Sequence, residues 1–159
     1  MKVLIVDADP ACANYLRQGL VRNGFGVDVL ADGVDALDCA LAHDHCLVVL
    51  DLDLPGLDGL SLLRTLRETR STPVVVVTAS QSAATKLVCL RAGANDYMCK
   101  PIAMPEFLAR TGLHIRRARL PEGTGSQFTF ADLVVDLSRK RAERCGKRLD
   151  LTHREFSML

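Results

Sequence analysis

The sequence lacks any long hydrophobic segment. Of its 159 residues 48% are hydrophobic, which is enough for a packed core and argues against disorder. No apolar run approaches the roughly 20 residues of a membrane-spanning helix. The N-terminal run M-K-V-L-I-V meets Asp7 too early for a signal peptide. We therefore expect a cytoplasmic protein without a membrane partner.

The sequence also lacks a C-x-x-C pair. Its six cysteines are scattered and lie mostly within apolar segments. They could form disulfides, but without a secretion signal we favour buried, reduced thiols. The segment His43-Asp44-His45-Cys46 contains metal-binding residue types. Because it lies between a predicted helix and a predicted strand, we do not predict a metal site there.

A large net charge is missing as well, since the formal net charge is only +1. The charge is nevertheless uneven, with net −3 over residues 1–111 and net +4 over residues 112–159. A basic C-terminal segment on an acidic body suggests an anionic partner for that segment. Charge runs also commonly do no more than solvate a surface, so both interpretations stay open.

Five short apolar runs alternate with helical patterns. Near-continuous apolar strands separated by amphipathic helices are typical of a parallel sheet covered on both faces. Right-handed crossovers then favour an α/β fold with a doubly wound, five-stranded parallel sheet of flavodoxin type. The predicted strands are Lys2–Val6, Val27–Leu30, Cys46–Leu50, Pro73–Thr78 and Asp96–Cys99.

Helical spacing predicts which residues of the helices face the core. Asp9-Pro10 and Asp32 supply N-terminal caps for the first two helices. The predicted inward residues are Ala13, Leu16 and Leu20; Ala36, Leu37, Ala40 and Leu41; Leu60, Leu63 and Leu66; and, in the last helix, Met104, Phe107, Leu108 and Ile115.

Residues 119–127 are rich in Pro, Gly and Ser and are predicted to be a linker. Beyond it, Phe128–Phe130, Leu133–Leu137 and Lys140–Cys145 resemble short antiparallel strands, and a capping box at Thr152 opens a helix. Strands without a covering helix cannot close a core. We therefore expect residues 128–159 to be an incomplete second domain after a first domain over 1–118.

Polar residues collect at the predicted strand ends. The segment C-L-V-V-L-D-L-D-L-P-G-L-D-G places Asp51 directly after a buried strand, and Asp7, Asp9, Thr78 and Lys100 end or follow other strands. In parallel sheets these ends share one edge, where ligands bind. Clustered carboxylates favour Mg²⁺, and a carboxylate beside it can attack phosphorus to form an acyl phosphate. Lysine and threonine would then hold phosphoryl oxygens.

Four motifs, V-L-I-V-D-A-D-P, L-D-L-D-L-P-G-L-D-G, V-V-V-T-A and G-A-N-D-Y-M-C-K-P, occur in that order, and L-D-L-T-H-R-E-F lies near the C-terminus. With these motifs the sequence resembles a two-component response regulator. The resemblance is to a receiver domain followed by the start of an OmpR/PhoB-type winged-helix DNA-binding domain, and it covers essentially the whole chain.

The resemblance implies that Asp51 accepts a phosphoryl group from a sensor histidine kinase. Mg²⁺ would be held by Asp7, Asp51 and the backbone carbonyl of Asp53. Lys100 would pair with the phosphoryl group, and Thr78 would bind it as well. Thr78 and Tyr97 would form the switch pair of the family. Such a protein is not an enzyme beyond self-phosphorylation and autodephosphorylation.

The resemblance also implies a homodimer through the last two receiver helices and the fifth strand. DNA binding is expected only of a full-length form with a complete winged helix. The dimer face would contain the charge pairs Lys86–Glu106 and Asp96–Arg110 and an apolar patch of Leu87, Leu90 and Leu108.

The chain departs from the family pattern at Ala8, where a second acidic metal ligand is expected. Asp9 follows it, either as a further ligand or only as a helix cap. Losing a ligand should weaken Mg²⁺ binding by about 10-fold or more. Asn95 and Gly112 also replace a usual charge pair, which makes the dimer face thinner.

Two alternatives compete with a phosphorylated receiver. Ala8 favours a receiver that acts by protein–protein interaction without phosphorylation. Asp51-Leu52-Asp53 resembles the D-x-D pair of phosphohydrolases, but those enzymes usually carry the pair after the first strand, whereas here it follows the third.

Overall fold

A computed structural model describes residues 1–119 in full and the backbone of residues 127–130, 133–136, 141–144 and 147–149. The chain forms two compact units, Met1–Ala118 and Arg119–Leu159. No helix within the described residues has the length and apolar character needed to cross a membrane.

The first unit alternates strand and helix five times. A single parallel sheet has the strand order β2-β1-β3-β4-β5, which confirms the predicted doubly wound α/β fold. The elements are β1 (Lys2–Val6), α1 (Pro10–Arg22), β2 (Gly26–Leu30), α2 (Gly33–Ala42), β3 (Leu47–Leu50), α3 (Gly59–Thr69), β4 (Val74–Thr78), α4 (Ala83–Arg91), β5 (Asp96–Cys99) and α5 (Met104–Arg119).

The first four helices begin at a residue whose side chain accepts a hydrogen bond from a backbone amide of the first turn. This interaction satisfies a donor that the helix leaves unpaired. The capping residues are Asp9, Asp32, Asp58 and Ser82.

Each face of the sheet has its own apolar cluster, because side chains alternate between the two faces along a strand. Val3, Ile5 and Val49 pack with residues of α1 and α5. Leu4 and Leu50 pack with residues of α2, α3 and α4. The helices therefore cover both faces and leave the carboxyl edge of the sheet to the loops.

The structure adds Leu62 to the predicted inward face of α3, and Leu60 packs against the same core cluster. Leu62, Leu63 and Leu66 are buried, whereas Leu60 is half-buried. Together with Gly59, the buried leucines follow the i, i+3, i+4 and i+7 spacing of one helix face. The predicted residues were spaced i, i+3 and i+6. In α5, Met104 and Leu108 are likewise half-buried, whereas Phe107, Thr111 and Ile115 are buried; among these, Thr111 was not predicted.

The described residues of the second unit form four antiparallel strands, β6 (Gln127–Phe130), β7 (Leu133–Asp136), β8 (Arg141–Arg144) and β9 (Lys147–Leu149). The last of these was not predicted, because three residues K-R-L carry too little apolar pattern. Helix α5 continues to Arg119 and β6 begins at Gln127, so both end residues of the predicted linker lie in regular structure. The predicted helix after Thr152 lies outside the described residues.

Candidate functional site

The carboxyl edge of the sheet brings Asp51 and Asp7 to one lysine. Both carboxylates are buried, with residue exposures of 7% and 3%. Lys100 Nζ donates a hydrogen bond to Asp51 Oδ2 at 2.6 Å and lies 2.9 Å from Asp7 Oδ2. The three residues come from the ends of β3, β1 and β5, as expected for the edge of a parallel sheet.

The charges in this pocket are mutually stabilising. Burial lowers the pKa of Lys100, but hydrogen bonds and the negative charges of Asp51 and Asp7 outweigh it and raise the pKa above its ordinary range. Lys100 is therefore a fixed cation, and its ammonium offsets the negative charges of the two carboxylates.

Backbone amides hold the two carboxylates in place. Asp51 Oδ1 accepts a hydrogen bond from the amide of Leu52 at 2.7 Å and a longer one from that of Asp53 at 3.5 Å. Asp7 Oδ1 accepts one from the amide of Asp9 at 2.9 Å. The Asp9 carboxylate itself is exposed and caps α1 through the amide of Ala11. The structure thus uses Asp9 as a helix cap.

One oxygen in the pocket has no hydrogen-bond donor among the described residues. Asp7 Oδ2 is buried, and its contact with Lys100 is an ion pair without hydrogen-bond alignment. A buried carboxylate oxygen left in this way is suited to a hard divalent cation. The donor set of Asp7 and Asp51 therefore fits Mg²⁺, with Ala8 contributing no side-chain ligand.

Thr78 and Tyr97 lie on the adjacent strands β4 and β5. Thr78 is fully buried, and its carbonyl accepts a hydrogen bond from the amide of Lys100 at 2.8 Å. Tyr97 is also buried, and its hydroxyl donates to the carbonyl of Ser80 at 2.7 Å. Burial raises the pKa of Tyr97, with the hydrogen bond to Ser80 opposing the rise. The aromatic ring is therefore held inward by the loop after β4.

Cys12 is a pocket residue that the sequence did not reveal. It lines a cleft with Asp9, Tyr15 and Lys100. Burial raises the pKa of its thiol to about 12, and the nearby carboxylate of Asp7 adds to the rise. The cysteine is therefore a neutral neighbour of the carboxylates. Its position two residues inside α1 was visible in the sequence, but its direction toward Asp7 was not.

The residues predicted for the dimer face divide into an apolar and a charged set. Leu87 and Leu90 on α4 are 48% and 39% exposed, and Leu108 on α5 is half-buried. Arg110 forms ion pairs within its own chain, with Asp96 at 2.9 Å and Glu106 at 2.8 Å.

Lys86 belongs to the same predicted face, but the structure does not pair it with Glu106 in the described part of the chain. Asp96 also faces His114, whose Nε2 lies 3.2 Å from Asp96 Oδ2. Asp96–Arg110 is formed within the chain, whereas both charge pairs of the dimer face stay predictions about contacts between two protomers.

The fold and the acidic pocket define a class of protein, and comparison with known proteins names it. Residues 3–111 match the response regulator receiver domain family. The receiver domain of the Francisella response regulator 1452 superimposes with a TM-score of 0.71 at 33% identity, covering 74% of this chain and 98% of that one.

Full-length relatives extend the similarity beyond the receiver. The transcriptional activator protein IrlR of Burkholderia pseudomallei is 40% identical over 159 residues, covering 100% of this chain and 69% of that protein. The response regulator DrrB, an OmpR/PhoB homologue of Thermotoga maritima, matches with a TM-score of 0.67 at 29% identity, covering 99% of this chain and 69% of that one. This chain belongs to the response regulator family of two-component systems, which confirms the resemblance.

Receiver domains generally bind Mg²⁺ at the phosphorylation site, and those of OmpR/PhoB-like regulators interact with sensor kinases and often dimerise. The family is not one of ordinary enzymes. The D-x-D pair of this chain follows β3 of a receiver fold, so the phosphohydrolase alternative finds no support.

Proposed function

We propose that Asp51 is the phosphoryl acceptor of this chain. The observation that carries the proposal is the buried carboxylate of Asp51 at the end of β3, hydrogen-bonded to Lys100 and beside Asp7. A carboxylate with a fixed cation at 2.6 Å is positioned to receive a group that brings further negative charge. The phosphoryl donor is the phosphohistidine of a sensor histidine kinase.

The transfer is a substitution at phosphorus. An oxygen of Asp51 forms a bond to phosphorus as the bond from phosphorus to the imidazole nitrogen of the donor breaks, and the electron pair leaves with that nitrogen. Lys100 moves from neutralising two carboxylates to pairing with a phosphoryl oxygen. The Thr78 hydroxyl would move to supply a hydrogen bond to another phosphoryl oxygen. Tyr97, which is hydrogen-bonded to Ser80 in the loop after β4, would respond to that movement as the second member of the switch pair.

Asp7, Asp51 and the backbone carbonyl of Asp53 would hold Mg²⁺. The ion supplies positive charge against the phosphoryl oxygens. The buried Oδ2 of Asp7, which faces Lys100 without an aligned hydrogen bond, supports this assignment. Since Ala8 provides no carboxylate, we expect weaker Mg²⁺ binding than an acidic residue there would give.

Phosphorylation would control association and transcription. The relative IrlR is named a transcriptional activator. We assign the same role to a form of this protein in which a complete winged-helix domain begins at residue 128. The receiver would dimerise through α4, β5 and α5. The exposed Leu87 and Leu90 support an apolar contact there.

Intact-mass measurement with a small-molecule phosphodonor tests the proposal. Incubation with Mg²⁺ should add one phosphoryl group, and Asp51→Asn should remove the adduct. An adduct that persists in this variant would place the acceptor elsewhere. Absence of any adduct at every Mg²⁺ concentration would instead support the receiver that acts without phosphorylation.

The variant Ala8→Asp tests the cause of weak metal binding. We expect it to raise Mg²⁺ affinity by about 10-fold or more and to speed adduct formation at low Mg²⁺. Gln18→Glu is the matched control, because Gln18 is exposed in the C-terminal half of α1 and the substitution adds the same charge away from the strand ends. Equal effects of the two substitutions would contradict the role given to position 8.

A further inference from the structure

A second cluster of metal-binding residue types lies away from the phosphorylation pocket. Asp28, Cys39 and His45 each place one candidate ligand atom within 4.8 Å of the others. They come from the edge strand β2, the last turns of α2 and the loop before β3. His45 precedes β3 and Asp51 follows it, so the strand separates the two sites.

The His45 side chain is the most enclosed member of the cluster, with 1% exposure. Its Nε2 lies 2.9 Å from Asp28 Oδ2, while Asp28 Oδ1 is taken by Lys2 at 2.8 Å. His45 Nδ1 is buried and has no hydrogen-bond partner within the described part of the chain. Nε2 is therefore the ring nitrogen that faces the Asp28 carboxylate and the rest of the cluster.

A fourth donor lies beside the cluster. His43 Nδ1 is 3.8 Å from Cys39 Sγ, because four residues separate them at the end of α2. His43 is exposed, so its ring can turn without disturbing the core. His43 lies outside the set of three ligand atoms that are mutually close, and its ring centroid is 6.3 Å from that of His45. A turn of the exposed His43 ring would have to bring it in as the fourth donor.

These donors select the kind of ion. Thiolate and imidazole favour Zn²⁺ over Mg²⁺, and Zn²⁺ takes four such ligands in a tetrahedron. Ligand atoms on a Zn²⁺ ion lie about 3–4 Å apart. The spread of up to 4.8 Å among Asp28, Cys39 and His45 therefore has to close by roughly 1 Å. Side-chain rotation of Cys39 can supply this, while the exposed His43 ring turns in as the fourth ligand.

We propose that Asp28, Cys39, His43 and His45 form a Zn²⁺ site at the edge of the receiver sheet. The ion would link the end of α2 to the edge strand β2 and to the loop before β3. Burial raises the pKa of the Cys39 thiol, and the charge of Asp28 raises it further against the opposing effect of Lys2. Binding therefore releases the thiol proton.

Co²⁺ and Zn²⁺ added to the metal-free full chain test this site. One equivalent of Co²⁺ should produce a thiolate-to-cobalt charge-transfer absorption, which Zn²⁺ abolishes by displacement. Cys39→Ser should remove the absorption and lower Zn²⁺ affinity by about 10-fold or more. Zn²⁺ should also raise the melting temperature of the wild type, because it binds the folded state.

Cys99→Ser and Cys145→Ser are the matched thiol controls, and both should retain the absorption. Asp51→Asn should retain it as well, which separates this site from the acidic pocket. His43→Ala changes an exposed side chain and should lower Zn²⁺ affinity even if Cys39→Ser folds poorly. Absence of the absorption in the wild type, or its persistence in Cys39→Ser, would overturn the proposal.

Discussion

Lys100 joins two carboxylates that arrive from different strands. Its side chain is 18% exposed, and those of Asp7 and Asp51 are 3% and 9% exposed. In such surroundings a carboxylate that loses its cation has little water to replace it. The lysine is therefore a structural requirement of the pocket, in addition to the phosphoryl-binding role proposed for it.

We predict that Lys100→Met lowers the free energy of unfolding by about 3 kcal/mol, because it leaves two neighbouring buried charges without a cation. Denaturant titration measures this. The double variant Lys100→Met/Asp51→Asn also removes the negative charge of Asp51. It should therefore recover most of the lost free energy of unfolding. A double variant as unstable as the single one would show that Lys100 contributes packing rather than charge.

Asn95 illustrates how a residue can have a use that its position in a motif does not reveal. Its Oδ1 accepts hydrogen bonds from the amide of Val74 and from Arg67, both at 2.9 Å. Arg67 also donates to the carbonyls of Gly93 and Thr72. Although Asn95 cannot make a dimer charge pair, it ties the end of α3 to the starts of β4 and β5.

At the level of elements, the start of α3 lies very close to the backbone of the loop that follows β3 and carries Asp51. A Cβ atom at Gly59 would lie 2.1 Å from the carbonyl oxygen of Asp51 and 2.8 Å from Leu52 Cα. Both neighbours are backbone, so neither can move aside without shifting the loop that carries Asp51. A Cβ atom added at Gly112 in α5 would meet no neighbouring atom of the described residues within 4 Å.

Alanine at these two helical glycines should therefore have opposite effects. Gly59→Ala is expected to destabilise the protein by about 1–3 kcal/mol through overpacking and to slow phosphorylation of Asp51. Gly112→Ala should stabilise it by up to about 1 kcal/mol through helix propensity alone. Thermal unfolding of the two variants checks this, and equal effects would show that the Gly59 contact is readily relieved.

Helix α4 differs from the others in having little apolar asymmetry. Cys89 is its only buried residue, and Leu87, Val88 and Leu90 are 48%, 41% and 39% exposed. A helix that leaves apolar residues on its outer surface is typical of an interaction face. On the same face, Asp96 and Glu106 already form ion pairs with Arg110 within the chain.

At the scale of the whole molecule, this arrangement predicts a dimer held mainly by apolar contact. Arg110 already forms ion pairs within its own chain. On dimerisation it would replace these pairs by pairs with the partner and gain no additional ones, so they contribute to the specificity of the dimer more than to its affinity. We expect Leu90→Glu to prevent dimerisation of the protein treated with a beryllium fluoride phosphoryl analogue, measured by sedimentation. Monomer stability should hardly change, because Leu90 is exposed.

Val21→Glu is the control for this substitution, since Val21 is 48% exposed on α1, away from α4 and α5. It should leave association unchanged. Dimerisation that survives Leu90→Glu, or that both substitutions abolish, would contradict the assignment of this face.

Much of the fold could be predicted because its signals are local. Apolar runs, helical spacing and capping residues depend on neighbours in sequence, and they located all five strands of the parallel sheet. Errors occurred where local pattern was weak, as at the short β9, or where a continuous helix offered two adjacent faces, as at Leu60 and Leu62.

The sequence by itself determined the order of strands and helices and the set of polar residues at the strand ends. Parallel strands bring their carboxyl ends to one edge, so the pocket of Asp7, Asp51 and Lys100 followed from chain order. Only the tertiary structure decided which atoms meet: Cys12 against Asp7, Gly59 against the Asp51 loop, and Cys39 with His45 and Asp28. These contacts are set by side-chain direction and packing, which no local pattern encodes.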